Sequence, residues 1–92
     1  MIDKIVVSPD VAVADIPDGA TVLVGGFGYC GVPENLIAAI ARRGITGLTT
    51  MSDDVGMDGY GLGLLHPSHQ IRKMIVGRAV ENAEFDRQLM AG

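Results

Sequence analysis

Cys30 is the one cysteine in a sequence of 92 residues. A lone thiol excludes an internal disulfide framework and fits a reducing compartment. Runs of lysine and arginine are also missing, and the net charge is −4, so nucleic acid is not an expected partner. No apolar stretch approaches the roughly 20 residues needed to span a membrane. The opening M-I-D-K-I-V-V-S-P lacks the charged head and long apolar core of a secretory signal, so the expected location is cytoplasmic. His66 and His69 lie three apart, but Pro67 between them argues for a loop and no third ligand is apparent. No metal site is expected, and both histidines are read as surface residues. Internal repeats and low-complexity tracts are absent as well.

What is present is strongly apolar. Hydrophobic residues make up 48% of the chain, and the mean hydropathy is +0.32. A chain of this length forms one small domain at most and buries such a surface poorly alone. A partner chain, or membership in a larger domain, is therefore expected.

In chain order, Ser8-Pro9-Asp10 signals a helix start, with Ser8 as N-cap and Pro9 at the first helical position. That helix is expected to reach about Asp15, with Val11, Ala12 and Ala14 as its apolar contacts. Pro17-Asp18-Gly19 reads as a turn. A buried strand over Ala20–Gly25 follows, short and rich in β-branched and aliphatic residues. The best-signalled element is a helix from Pro33 to Arg43. It has proline at N1, Glu34 complementing the dipole, Leu36, Ile37, Ile40 and Ala41 at helical spacing, and Gly44 as the stop. Leu48–Ser52 reads as the second strand. Strand, helix, strand makes a βαβ unit, hence parallel pairing with a right-handed crossover. Beyond it come a glycine-rich loop with a short helical turn (Gly59–Leu65), a third strand (Ile71–Gly77) and a helix (Asn82–Met90) with Phe85, Leu89 and Met90 as its apolar stripe. Arg72 and Lys73 are read as solvent-face strand residues.

Four glycines, Gly25, Gly26, Gly28 and Gly31, fall within seven positions between the first strand and its helix. Glycine lets backbone N–H groups approach a ligand closely and accepts φ > 0. A helix start adds unpaired donors and partial positive charge, so such a loop suits phosphates and oxyanions. Asp53-Asp54-Val55-Gly56 should share the C-terminal edge of the sheet with it, where ligands of parallel sheets collect. Gly26, Gly28 and Gly31 satisfy G-x-G-x-x-G, and Asp53 and Asp54 follow about twenty residues on, which matches a dinucleotide fingerprint on paper. Val32-Pro33 come after the third glycine, however, so the helix begins beyond the loop rather than within it. On the residues alone, Phe27 is either core or loop wall, Cys30 is a small buried apolar residue rather than a nucleophile, Glu34 serves the helix dipole, and Asp53 and Asp54 are turn or cap residues.

The run D-G-x-x-V-L-V-G-G-F-G-x-C-G-x-P-E-N-L-I, read from Asp18 onward, resembles the signature of family I coenzyme A transferases in their α (A) subunit, of the succinyl-CoA:3-oxoacid type. The likeness continues through L-T-x-x-S-D-D-V-G, G-L-G-L-L (Gly61–Leu65), Q-I-R-K-M (Gln70–Met74) and E-N-A-E-F-D-R-Q-L-M-A-G (Glu81–Gly92), and so covers essentially the whole chain.

The resemblance implies an α/β fold: an incomplete parallel-sheet domain of βαβ units, with residues 1–92 as the N-terminal part of a truncated α-subunit domain. It implies transfer of CoA between carboxylic acids such as succinate and a 3-oxoacid. A glutamate of the β (B) subunit attacks the acyl-CoA thioester, and the resulting anhydride is opened by CoA, so that one exchange becomes covalent steps. The partner implied is that β subunit, in a hetero-oligomer. CoA or acyl-CoA enters as substrate, with no permanently bound cofactor. Gly25, Gly26, Phe27, Gly28, Tyr29, Cys30 and Gly31 correspond to the CoA-binding loop, and no catalytic residue is expected in this chain. The family turn S-N-N-A-G reads Ser52-Asp53-Asp54-Val55-Gly56 here. Asp53 stands at the position of an active-site asparagine and sets a negative charge where carboxylates must gather. The isolated chain is expected to be inactive. Two readings of other classes are a Rossmann-like nucleotide-binding module and a non-catalytic remnant that self-associates through its sheet edge and apolar faces.

Overall fold

The computed structural model describes residues 3–80 and 82–92. Its elements are α1 (Pro9–Ala12), β1 (Thr21–Leu23), α2 (Glu34–Arg43), β2 (Leu48–Asp54), a 3₁₀ turn (Gly61–Leu65), β3 (Ile71–Arg78) and α3 (Ala83–Ala91). The strands form one parallel sheet in the order β1-β2-β3. Among the described residues no helix is long and apolar enough to cross a membrane.

The best-signalled helix forms as its sequence dictates. Pro33 is its N-cap rather than its first residue, Glu34 and the Arg42-Arg43 pair complement the dipole at opposite ends, and Gly44 closes it in the left-handed region at φ 69°. Its buried face is Ile37, Ala39 and Ile40. Leu36, expected on that face, is exposed, because the hundred-degree step per residue carries it past the edge of the apolar stripe. Ile37 and Ile40 pack with Ile45, Leu48, Leu62 and Leu65 into the core under one face of the sheet. Arg43 ties in α1, donating through Nη1 to the carbonyls of Val13 at 2.6 Å and Ile16 at 2.9 Å.

Several elements depart from expectation for local reasons. Ser8 does cap α1, its hydroxyl accepting from the Val11 amide at 3.2 Å. The helix is a single turn, however, so Val13 just beyond it enters the core, while Val11 and Ala14 stay exposed. β2 runs on to Asp54, so both aspartates belong to the strand end rather than to a turn. In α3, Asn82 is the N-cap, accepting from Phe85 N at 2.9 Å. Of the expected stripe, Phe85 is half-buried beside the His66 ring, with centroids 5.9 Å apart, but Leu89 and Met90 are exposed. A groove of about 360 Å³ separates this helix from β3, lined by Ile71, Met74, Phe85 and Leu89 among others.

The sheet's second face is uncovered. Leu23, Met51 and Ile75 are cross-strand neighbours in register, and they are 74%, 38% and 44% exposed. Parallel sheets occur almost only with both faces covered. The described residues therefore make an incomplete α/β domain, with α2 and the 3₁₀ turn on one side and nothing on the other.

Gln70 is a structural residue whose role no composition or spacing signal announces. It is buried, and its Nε2 donates to the carbonyls of Ile40 at 3.2 Å and Ile45 at 2.9 Å, which joins the end of α2 to the start of β3. Gln70→Ala would leave the Ile45 carbonyl without its side-chain donor and the Ile40 carbonyl with only the Gly44 amide. A stability loss of about 1–3 kcal/mol is expected, read as a lower urea midpoint with an unchanged slope.

Candidate functional site at the glycine hairpin

The glycine stretch folds as a small hairpin standing off the end of β1. Phe27 N donates to Cys30 O at 2.9 Å, and Cys30 N returns to Phe27 O at 2.8 Å. Gly28 and Tyr29 form its two-residue tip, with Gly28 at φ 54°. A positive φ at the first central position alone is the type II′ pattern, which demands glycine there. Gly26 sits at the base with φ 90°, and a Cβ on it would come within 2.8 Å of the backbone of Cys30 and Gly31. The Gly31-Val32-Pro33 segment then leads into α2. The glycines thus build a hairpin ahead of the helix, whereas a dinucleotide fingerprint opens the helix itself.

Parallel pairing brings the end of β2 to the same edge. Side chains alternate along the strand, so the two aspartates part company. Asp53 is exposed on the uncovered face. Its Oδ2 accepts from Arg78 Nε at 3.1 Å, and Arg78 Nη2 lies 3.1 Å from the same oxygen in an ion pair across to the end of β3. Asp54 points the other way and is 6% exposed. Its Oδ2 accepts from Gly28 N at 2.8 Å and its Oδ1 from Gly56 N at 2.9 Å.

The turn after β2 is itself pinned from behind. His66 Nε2 meets Val55 O at 2.7 Å, and Asn82 Nδ2 donates to Gly56 O at 2.8 Å. Because a carbonyl only accepts, Nε2 of His66 carries the proton. His66, expected at the surface, is buried; the need for a donor to Val55 O explains it. His69 does lie at the surface, at φ 54°.

The seven loop residues do not act alike. Gly25, Gly26, Phe27 and Gly28 line a cleft with Asp54 and Leu62, and the cleft holds about 20 Å³, the size of one water. Tyr29 and Cys30 stand outside it at the exposed tip. Cys30 is therefore not the buried apolar residue that its chemistry suggests, because the hairpin carries it away from the core. Phe27 is exposed and serves as loop wall rather than core. The amides of Phe27, Gly28 and Cys30 are occupied internally. Among the described residues, those of Gly25, Gly26, Tyr29 and Gly31 donate to no protein acceptor.

Tyr60 joins the rim from the loop before the 3₁₀ turn, its ring centroid 5.0 Å from that of Tyr29. The Glu34 carboxylate beside its hydroxyl, with some burial, holds the phenol above its ordinary value. Of the chain's two tyrosines and two phenylalanines, Phe27, Tyr29 and Tyr60 gather here.

A family model described as "Coenzyme A transferase" matches residues 6–92, hairpin included. The chain belongs to the coenzyme A transferase family. It is 50% identical over 90 residues to a Mycobacterium tuberculosis protein named as the α (A) subunit of a probable succinyl-CoA:3-ketoacid coenzyme A transferase, covering 98% of this chain and 36% of that one. A Xanthomonas campestris protein, named as the same subunit of a succinyl-CoA:3-ketoacid coenzyme A transferase, is 53% identical over 77 residues, 84% of this chain and 32% of the relative. The human protein named succinyl-CoA:3-ketoacid coenzyme A transferase 2, mitochondrial, is 45% identical over 89 residues, 97% of this chain and 17% of the relative. This coenzyme A transferase chain thus spans about a third of the length of the bacterial relatives.

Within the transferase hairpin, Gly26 tolerates no side chain. Gly26→Ala combines a strained φ with backbone overlap and is expected to cost about 1–3 kcal/mol. Gly25→Ala meets nothing within 4 Å and should stay within about 0.5 kcal/mol of the parent. Equilibrium unfolding of the two variants side by side checks the contrast.

Proposed function

We propose that this chain is the N-terminal part of the α subunit of a CoA transferase that moves CoA between carboxylic acids such as succinate and a 3-oxoacid. In this reading a companion β subunit brings the nucleophilic glutamate and completes a hetero-oligomer. CoA or acyl-CoA is the substrate, no permanently bound cofactor takes part, and the compartment is the cytoplasm.

The observation that carries the reading is the hairpin's donor pattern. Four backbone amides without an acceptor among the described residues sit on one small loop at the C-terminal edge of a parallel sheet, in a chain 50% identical over nearly its whole length to a protein named for this activity. Amides so placed are donors for a thioester oxygen or a phosphate, fixed before the ligand arrives. A cleft of about 20 Å³ is far too small to enclose CoA. The ligand must therefore lie across the hairpin, with its other wall supplied by a partner. Exposed Phe27 and Tyr29 and the open row Leu23–Met51–Ile75 offer apolar surface for such covering.

Calorimetric titration of the chain, alone and with a β subunit, against CoA and against NAD tests the reading. Heat with CoA and none with NAD supports it. The reverse supports a Rossmann-like nucleotide module, and no binding of either, together with self-association, supports a non-catalytic remnant.

Asp53 gives a second test. Its carboxylate lies at an active-site asparagine position of the family, partly neutralised by Arg78. Asp53→Asn removes a negative charge and releases the Arg78 cation toward incoming carboxylates. In a completed α subunit assayed with the β subunit, turnover should rise several-fold, and equal or lower turnover than the Asp53 form counts against Asp53 as a site position.

A further inference from the structure

We propose that Asp54 is the positioning residue of the glycine hairpin: its buried carboxylate clamps the loop to the turn after β2 and thereby fixes which amides face outward. The consequence for ligand binding rests on the reading of the hairpin as the CoA loop. The clamp itself does not.

The geometry is specific to a carboxylate. Two N–H donors converge on the side chain from different segments, Gly28 at 2.8 Å and Gly56 at 2.9 Å, one to each oxygen. An ionised carboxylate is acceptor-only and meets both donors, with bonds strengthened by its charge. An asparagine has one acceptor, so its amide nitrogen would face one of the two N–H groups, donor against donor.

The two sides of the clamp differ in rigidity. The Gly56 side is held independently by His66 and Asn82 through the Val55 and Gly56 carbonyls. The hairpin side has its two local bonds between Phe27 and Cys30. Among the described residues, the Gly28–Asp54 bond is the single long-range hydrogen bond made by residues 25–31. Removing it frees the hairpin to pivot about Gly26 while the turn stays in place. Asp53, one residue away, cannot substitute, because it lies on the opposite face and is engaged by Arg78.

The test is amide hydrogen exchange by NMR on the full 92-residue chain, parent against Asp54→Asn, with CoA titrated into both. Gly28 N–H should exchange roughly tenfold faster or more in the variant, reporting local opening. Leu48 N–H, bonded to Gln70 O at 3.0 Å in the core, should be unchanged. CoA affinity should fall several-fold. Equal exchange at Gly28, or equal acceleration at Gly28 and Leu48, overturns the proposal, the second outcome marking Asp54 as a general stabiliser. Should the variant fail to fold, the parent alone decides. A scalar coupling across the hydrogen bond from the Gly28 nitrogen to the Asp54 carboxyl carbon is expected, and its absence overturns the clamp. If the parent binds no CoA, the CoA reading of the loop fails, while the exchange data still decide the clamp.

Discussion

Parallel pairing of β1 with β2 across α2 is the constraint from which the rest follows. Antiparallel neighbours can be joined by a tight turn at either end. Parallel neighbours require a crossover, which puts both strands' C-terminal ends on one edge. Gly25–Gly31 and Asp53–Gly56, distant in sequence, are thereby forced side by side. Once there, the alternation of side chains along β2 sorts the two aspartates: one goes under the hairpin, the other outward to Arg78. Neither placement needs a special sequence signal beyond strand length and parity.

That constraint also explains why the chain looks half-built. A parallel sheet wants cover on both faces, and here only the face toward α2 and the 3₁₀ turn has it. Among the described residues, the row of Leu23, Met51 and Ile75, the shallow cleft and the aromatic rim are all left open. Relatives roughly three times as long fit that picture. In the proposed reading the hairpin amides form one wall of the site, and the opposite wall is supplied by a partner.

Much of this is legible in the residues, and the failures have physical causes. α2 can be read nearly to the residue because proline, an acidic first turn, a basic last turn and a terminal glycine all agree. The parallel sheet follows from strand, helix, strand, and the helix start beyond Val32-Pro33 sets the loop apart from a dinucleotide fingerprint. What sequence does not supply is the partner of each polar group. Asp54 looks like its neighbour Asp53; only the length of β2, two residues longer than expected, decides which one is buried. His66 looks like a surface residue because nothing local shows that the Val55 carbonyl needs a donor. Cys30 looks like core because its apolar character is visible and the hairpin that lifts it outward is not. Tyr60 carries no motif, and nothing in the residues around Asn82 shows that its amide reaches the Gly56 carbonyl, although both border the site from segments distant in sequence.

The central proposal is that the amides of Gly25, Gly26, Tyr29 and Gly31 receive coenzyme A. Backbone amide shift mapping during CoA addition addresses it most directly. The account predicts that Gly25, Gly26, Tyr29 and Gly31 move first and furthest, while Phe27 and Cys30, already bonded to each other, move little. Shifts confined to the groove between β3 and α3, with the glycine hairpin untouched at saturation, would contradict it.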